Sequence, residues 1–193
     1  MRVSFVARWG DAAMPRFQAW RDFLSSAGAG SDMDKLKRVN EFFNRSIRFV
    51  DDAGNWGQND YWATPLETLG KGQGDCEDYV IAKYYTLALL GVPTDKLRLI
   101  YVQARTGAGS GSPTQAHMVL AYYNEPDDEP WVLDNLVGEL RLASRRPDLS
   151  PVFSFNAKGI FSGAGTQVVA PAVGSGRLSR WEDLLKRVAS EGF

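Results

Sequence analysis

Apolar positions recur at helical spacing in the first half of the chain and at strand spacing in much of the second. Met14, Phe17, Trp20 and Leu24 predict a first helix with one buried stripe, ending near Gly28. Ser31, followed by Asp34 three residues on, predicts the start of a second helix with Leu36, Val39 and Phe43 as its apolar face. Asp51–Asp60 is polar and contains glycine, and is expected to be a loop. Thr64-Pro65-Leu66-Glu67 places Thr at an N-cap, proline at the first helical position and Glu at the third, so a short helix is expected there, stopping around Gly70. Gly72-Gln73-Gly74 predicts a tight turn. The next helix, about Asp75 to Leu90, has Val80, Tyr84, Leu87 and Ala88 on one face and Ile81, Tyr85 and Leu89 on another. A helix apolar on most sides belongs in a core, and Gly91 and Pro93 end it.

The period then changes. Residues 97–104 alternate as a strand, and 105–115 are expected to form a Gly/Ser/Pro loop. His117–Tyr123 and Trp131–Val137 predict strands around a turn at Asn124–Pro130, and Val152–Asn156 with Gly159–Ser162 predict a further hairpin. A mobile Gly/Ser-rich loop is expected over 163–176. A final helix should be capped by Ser179, with Glu182 completing the box and Trp181, Leu184, Leu185 and Val188 facing inward. Helices first and an antiparallel sheet after them predict an α+β fold. The length of 193 residues predicts a single domain over 1–193.

Composition narrows the function. The chain is 44% hydrophobic and 23% charged, ordinary for a globular protein, and its formal net charge of -1 gives no general attraction to nucleic acid or an anionic membrane. No apolar run is long enough to span a bilayer. One cysteine excludes an internal disulfide, and one cysteine with one histidine cannot fill a Cys/His zinc site. They leave a single possible pair for a Cys–His enzyme. By count alone, a buried thiol and an unrelated imidazole is the simpler reading.

Context argues otherwise. Gly72-Gln73-Gly74-Asp75-Cys76-Glu77-Asp78-Tyr79 puts Cys76 at the N-terminus of a buried helix. There the helix dipole favours thiolate, and unpaired N–H groups can hold an oxyanion. Asp75, Glu77 and Asp78 flank the thiol; acids stabilise a first helical turn, but they oppose thiolate formation. A bound Ca²⁺ would remove that conflict, with loop carbonyls or Asp60 completing its shell; a solvated acidic helix start is the competing reading. His117 begins one strand and Asp134 lies on the next, so a hairpin near Pro126–Glu129 makes them neighbours. The carboxylate can then hold one ring nitrogen while the other faces the thiol, giving nucleophile, base and orienter.

The order Cys, His, Asp on helix, strand, strand resembles that of papain-like and transglutaminase-like enzymes. Asn59-Asp60-Tyr61-Trp62-Ala63-Thr64-Pro65-Leu66-Glu67, Gly74-Asp75-Cys76-Glu77-Asp78-Tyr79, Gln115-Ala116-His117-Met118-Val119-Leu120, Leu133-Asp134-Asn135 and 178–185 resemble the bacterial transglutaminase-like cysteine proteinases, over nearly the whole chain. The resemblance implies a papain/transglutaminase-like α+β fold, with the nucleophile at the start of a central helix packed on an antiparallel sheet. It implies a Cys76, His117, Asp134 endopeptidase dependent on calcium, bound by Asp75, Glu77 and Asp78. The implied substrate is the N-terminal region of a large cell-surface adhesin, cut at a paired-alanine site to release it and disperse biofilm. The implied control is sequestration by the periplasmic domain of an inner-membrane cyclic-di-GMP receptor. Such proteins are exported to the periplasm; Met1–Arg8 has no secretory h-region, so a signal peptide is expected to be missing from this sequence. Two alternatives stay open. The same triad serves transglutaminases and peptidoglycan-peptide hydrolases, and a calcium-binding interaction module with a vestigial triad would carry the same residues.

Overall fold

The computed structural model describes residues 2–107, 109, 111–170 and 178–193. Helix α1 (Arg2–Trp9) buries Phe5, which stacks on Phe17 at 4.5 Å between ring centroids. Helix α2 (Met14–Ala27) carries Pro15 in its first turn, where the missing N–H costs nothing, and buries Phe17 and Trp20. Helix α3 (Asp32–Ser46) starts from Ser31, whose hydroxyl accepts the Asp34 N–H while the Asp34 carboxylate accepts the Ser31 N–H. Its buried face holds Leu36, Val39 and Phe43 as the spacing predicts.

The stretch expected to be a loop contains a short helix, α4 (Asp52–Trp56). Asp51 caps it by accepting the Gly54 N–H at 2.7 Å, and Gly57, in the left-handed region at φ 66°, ends it. Helix α5 (Pro65–Lys71) has the expected Thr64/Glu67 capping box and ends at Gly72, also left-handed. The chain then forms a short parallel bridge between β1 (Arg48–Phe49) and β2 (Gln73–Gly74). Helix α6 (Cys76–Leu89) follows, with every residue from Asp78 to Tyr84 buried. It contacts α3 and α5. Trp20 Nε1 donates to Thr86 at 3.0 Å and Lys83 Nζ to Asn40 at 2.8 Å, so Thr86 and Lys83, both buried in this helix, are answered. Helix α7 (Ser179–Glu191) starts at Ser179 itself and buries Trp181, Leu184 and Val188; Trp181 meets Tyr84 edge-on. These elements make one compact unit, Met1–Val92 with Ser179–Phe193.

The other unit, Pro93–Leu178, is built on an antiparallel sheet. Its strands are β3 (Leu97–Arg105), β4 (Thr114–Tyr122), β5 (Trp131–Leu133), β6 (Arg141–Leu142), β7 (Leu149–Asn156), β8 (Gly159–Ser162) and β9 (Val168–Ala170), in the order β6-β5-β4-β3-β7-β8-β9. The strand alternation sorts side chains. Ile100, Val102, Val119, Ala121, Tyr123 and Val132 cluster together, while the intervening Leu97, Leu99, Met118, Leu120 and Leu133 are also buried. The ladder runs on to Arg105↔Thr114, so the loop after β3 is shorter than its Gly/Ser/Pro composition suggests and His117 lies within β4 rather than at its start. β5 stops at Leu133, which leaves Asp134 just beyond the strand. β9 occupies 168–170 of the expected 163–176 loop, 163–167 are turn and irregular backbone, and 171–176 lies outside the described residues. Among the described residues no helix is long and apolar enough to cross a membrane.

Candidate active site

Asp75, in an extended conformation, is the N-cap of α6, and Cys76 is its first residue, partly buried. Gly74 is required by a close approach. A Cβ there would stand 2.7 Å from the Asp78 side chain. The Cys76 thiol donates to Glu77 Oε2 at 2.7 Å.

Asp52, Asp75 and Asp78 converge beside this helix start, with one carboxylate oxygen of each within 4.8 Å of the others. Asp78 Oδ1 accepts the Ala63 N–H at 2.8 Å, and Asp52 Oδ2 accepts the Tyr61 N–H. Asp52 Oδ1, Asp75 Oδ1 and Asp78 Oδ2 are buried with no hydrogen-bond partner. Burial, then the charges of Glu77, Asp78 and Asp52, push Asp75 up to about 9. Burial also raises Asp78 well above the carboxylate range, and raises Asp52 against the pull of the Tyr61 N–H. Three acids whose orphan oxygens are buried need protons or a cation. The donors are all oxygen, which fits a hard divalent ion such as Ca²⁺ with carbonyls or water completing its shell.

The structure thus brings together two of the four expected ligands, Asp75 and Asp78. Glu77 instead accepts from the Cys76 thiol, and Asp60 makes an ion pair with Arg180 at 3.0 Å. Asp52 escaped the sequence reading because it sits in a polar stretch taken as loop. Its signal was the Asp51 cap, which starts α4 and fixes where Asp52 lies.

In the sheet unit, His117 and Asp134 are both buried, and His117 Nε2 lies 2.8 Å from Asp134 Oδ1. Burial works to raise Asp134, but the hydrogen bond and charge of His117, the Leu136 N–H and Arg146 outweigh it and hold the carboxyl at about 2. An ionised carboxylate can only accept, so Nε2 carries the proton and Nδ1 is the basic nitrogen. Arg146 Nη2 donates to Asp134 Oδ2 at 2.8 Å; no pattern in the sequence singled this arginine out. The helical unit therefore holds the thiol and the acids, and the sheet unit holds the imidazole and its orienter.

The profile of the family described as bacterial transglutaminase-like cysteine proteinase, BTLCP, matches residues 22–147. Legionella pneumophila LapG is 39% identical, aligned over 92% of this chain and 90% of that one with a TM-score of 0.77. The calcium-bound form of Legionella pneumophila LapG aligns at 37% identity over 96% of each chain with a TM-score of 0.79. The EGTA-treated form gives 38% identity over 92% and 90%, with a TM-score of 0.79. No curated protein matches the chain. The matched profile runs from before Cys76 to beyond Asp134, and so covers the thiol, the acids and the imidazole pair; the chain belongs to the bacterial transglutaminase-like cysteine proteinases, with their papain/transglutaminase-like α+β fold.

Proposed function

We propose that the protein is a calcium-dependent periplasmic cysteine endopeptidase with Cys76 as nucleophile, His117 as base and Asp134 as orienter. One observation carries the reading. The chain's only histidine is bound through Nε2 to a buried ionised carboxylate, which leaves Nδ1 to serve the chain's only cysteine. His117 Nδ1 takes the thiol proton as Sγ attacks the scissile carbonyl carbon, and the N–H groups at the start of α6 hold the resulting oxyanion. The imidazolium then protonates the leaving amine. A water, deprotonated by the same nitrogen, hydrolyses the thioester and restores the thiol. Asp134 orients the ring and stabilises its charge without taking the proton. On this reading the residues of both compact units belong to one catalytic domain over 1–193.

Calcium is assigned to Asp52, Asp75 and Asp78. Glu77, whose charge acts on Asp52, Asp60 and Asp75, is the next ligand, with Asp60 on the rim. When bound, the ion cancels the repulsion among these acids and removes their opposition to the thiolate. The calcium-bound relative supports this assignment.

The substrate is the N-terminal region of a large cell-surface adhesin, cut at a paired-alanine site, with release of the adhesin and dispersal of biofilm. Control is by sequestration on the periplasmic domain of a cyclic-di-GMP receptor. Both rest on the family motifs around Cys76, His117 and Asp134. The test is incubation of an adhesin N-terminal fragment with the wild type and calcium, with the wild type and a chelator, and with Cys76→Ala and calcium. Only the first mixture should cut. Cutting by Cys76→Ala, or crosslinks to an added primary amine in place of cleavage, would contradict the reading.

A further inference from the structure

Arg146 is only 3% exposed; its Nη2 and Nε are engaged by acids, while Nη1 is buried with no hydrogen-bond partner. Nη2 donates to Asp134 Oδ2 at 2.8 Å and to Asp148 Oδ2 at 2.7 Å, while Nε donates to Asp148 Oδ1 at 3.0 Å. Its backbone is tied as well: its N–H donates to the Ala143 carbonyl at 2.9 Å, and its carbonyl accepts the Leu149 N–H at 3.1 Å. A buried guanidinium is costly unless its geometry is used. Here it divides the work of the Asp134 carboxylate. Oδ1 receives the His117 Nε2–H and the Leu136 N–H, and Oδ2 receives Arg146.

We propose that Arg146 is a positioning residue for the His117–Asp134 pair: by holding Oδ2 it fixes the carboxylate plane, keeps Oδ1 on Nε2, and so locks the imidazole in the tautomer whose Nδ1 is basic. Asp148, 38% exposed, anchors the guanidinium from the outer side. Lysine, with one ammonium in place of the fork, can reach Asp134 but cannot also hold Asp148 in the same geometry. The catalytic consequence rests on the protease reading; the tautomer lock does not.

His117 is the only histidine, so a ¹⁵N-labelled sample carries a single imidazole signal set. The tautomer is read in the Cys76→Ala background with calcium present, at a pH where the ¹⁵N shifts themselves show a neutral ring. The expected result is one tautomer protonated at Nε2, replaced by exchange between two tautomers when Arg146→Gln is added. In the cysteine-containing enzyme, Arg146→Gln should lower kcat roughly 10- to 100-fold with KM nearly unchanged, and Arg146→Lys should recover part of the loss. If Arg146→Gln does not fold, Asp148→Asn loosens the same guanidinium from its exposed side and should produce the same mixing and a smaller fall in kcat. A folded variant that keeps the single tautomer and the wild-type kcat overturns the proposal. Loss of the single tautomer in a protein whose wild type cuts nothing upholds the positioning role and fails the protease reading. An unchanged tautomer in a protein that does cut fails the positioning role alone.

Discussion

In the proposed scheme the chemistry at His117 depends on which ring nitrogen holds the proton, and the Asp134 carboxylate decides that by staying ionised in a buried place. Its folded pKa of about 2 lies below the ordinary carboxylate value of about 3.9. The sign follows. This stabilisation, about 2 kcal/mol, is fully present above about pH 4 and is lost as pH falls through 2. Asp134→Asn should therefore flatten the loss of melting temperature between these values, and should lower kcat by about 10²-fold or more while leaving the thiol in place. Residual activity in that variant is consistent with the scheme; undiminished activity is not. The place of Cys76 at a helix start and the pairing of His117 with Asp134 were legible in the sequence because each residue is unique or sits in a local motif. Arg146 and Asp52 were not, because what recruits them is a partner distant in the chain: Asp134 for one, and Asp75 with Asp78 for the other.

The start of α6 couples backbone geometry to the acids. Gly74 leaves no room for a Cβ beside Asp78, and Asp78 is pinned by the Ala63 N–H. Gly74→Ala should push Asp78 out of the cluster and weaken calcium binding at least tenfold, with little change in the far-UV circular dichroism of the helices. A calcium titration of the melting temperature checks this. Helices with a complete local signal were readable in advance: the boxes at Ser31/Asp34 and Thr64/Glu67 are satisfied within one turn and need nothing from the rest of the fold. α4 was missed because five residues with a cap and a stop carry no apolar stripe. The short strands β6 and β9 were missed because two or three residues become a strand only through the neighbour they pair with.

Across the chain, the helical unit carries three acids with buried, unpartnered oxygens, and the sheet unit carries an imidazole paired with a carboxylate. Calcium should therefore act on stability as well as on activity. At a hundred times its dissociation constant it should add about 2.7 kcal/mol, seen as a raised melting temperature that a chelator reverses. Asp52→Ala and Asp75→Ala should each lose most of that gain. A melting temperature indifferent to calcium would leave the acidic cluster without its assigned ion. The order of helices and sheet was legible from the change of hydrophobic period, whereas the division into two compact units was not, because only tertiary contacts define it. The proposed enzyme needs the thiol of one unit to answer to the imidazole of the other, and that is measurable directly. With a single cysteine, all alkylation by iodoacetamide reports Cys76. Its rate should stay high well below the ordinary thiol pKa of about 8.5 in the calcium-loaded wild type, and should fall to that of an ordinary thiol in His117→Ala. A wild-type rate that follows the ordinary thiol, and does not change in His117→Ala, would contradict the pairing of Cys76 with His117.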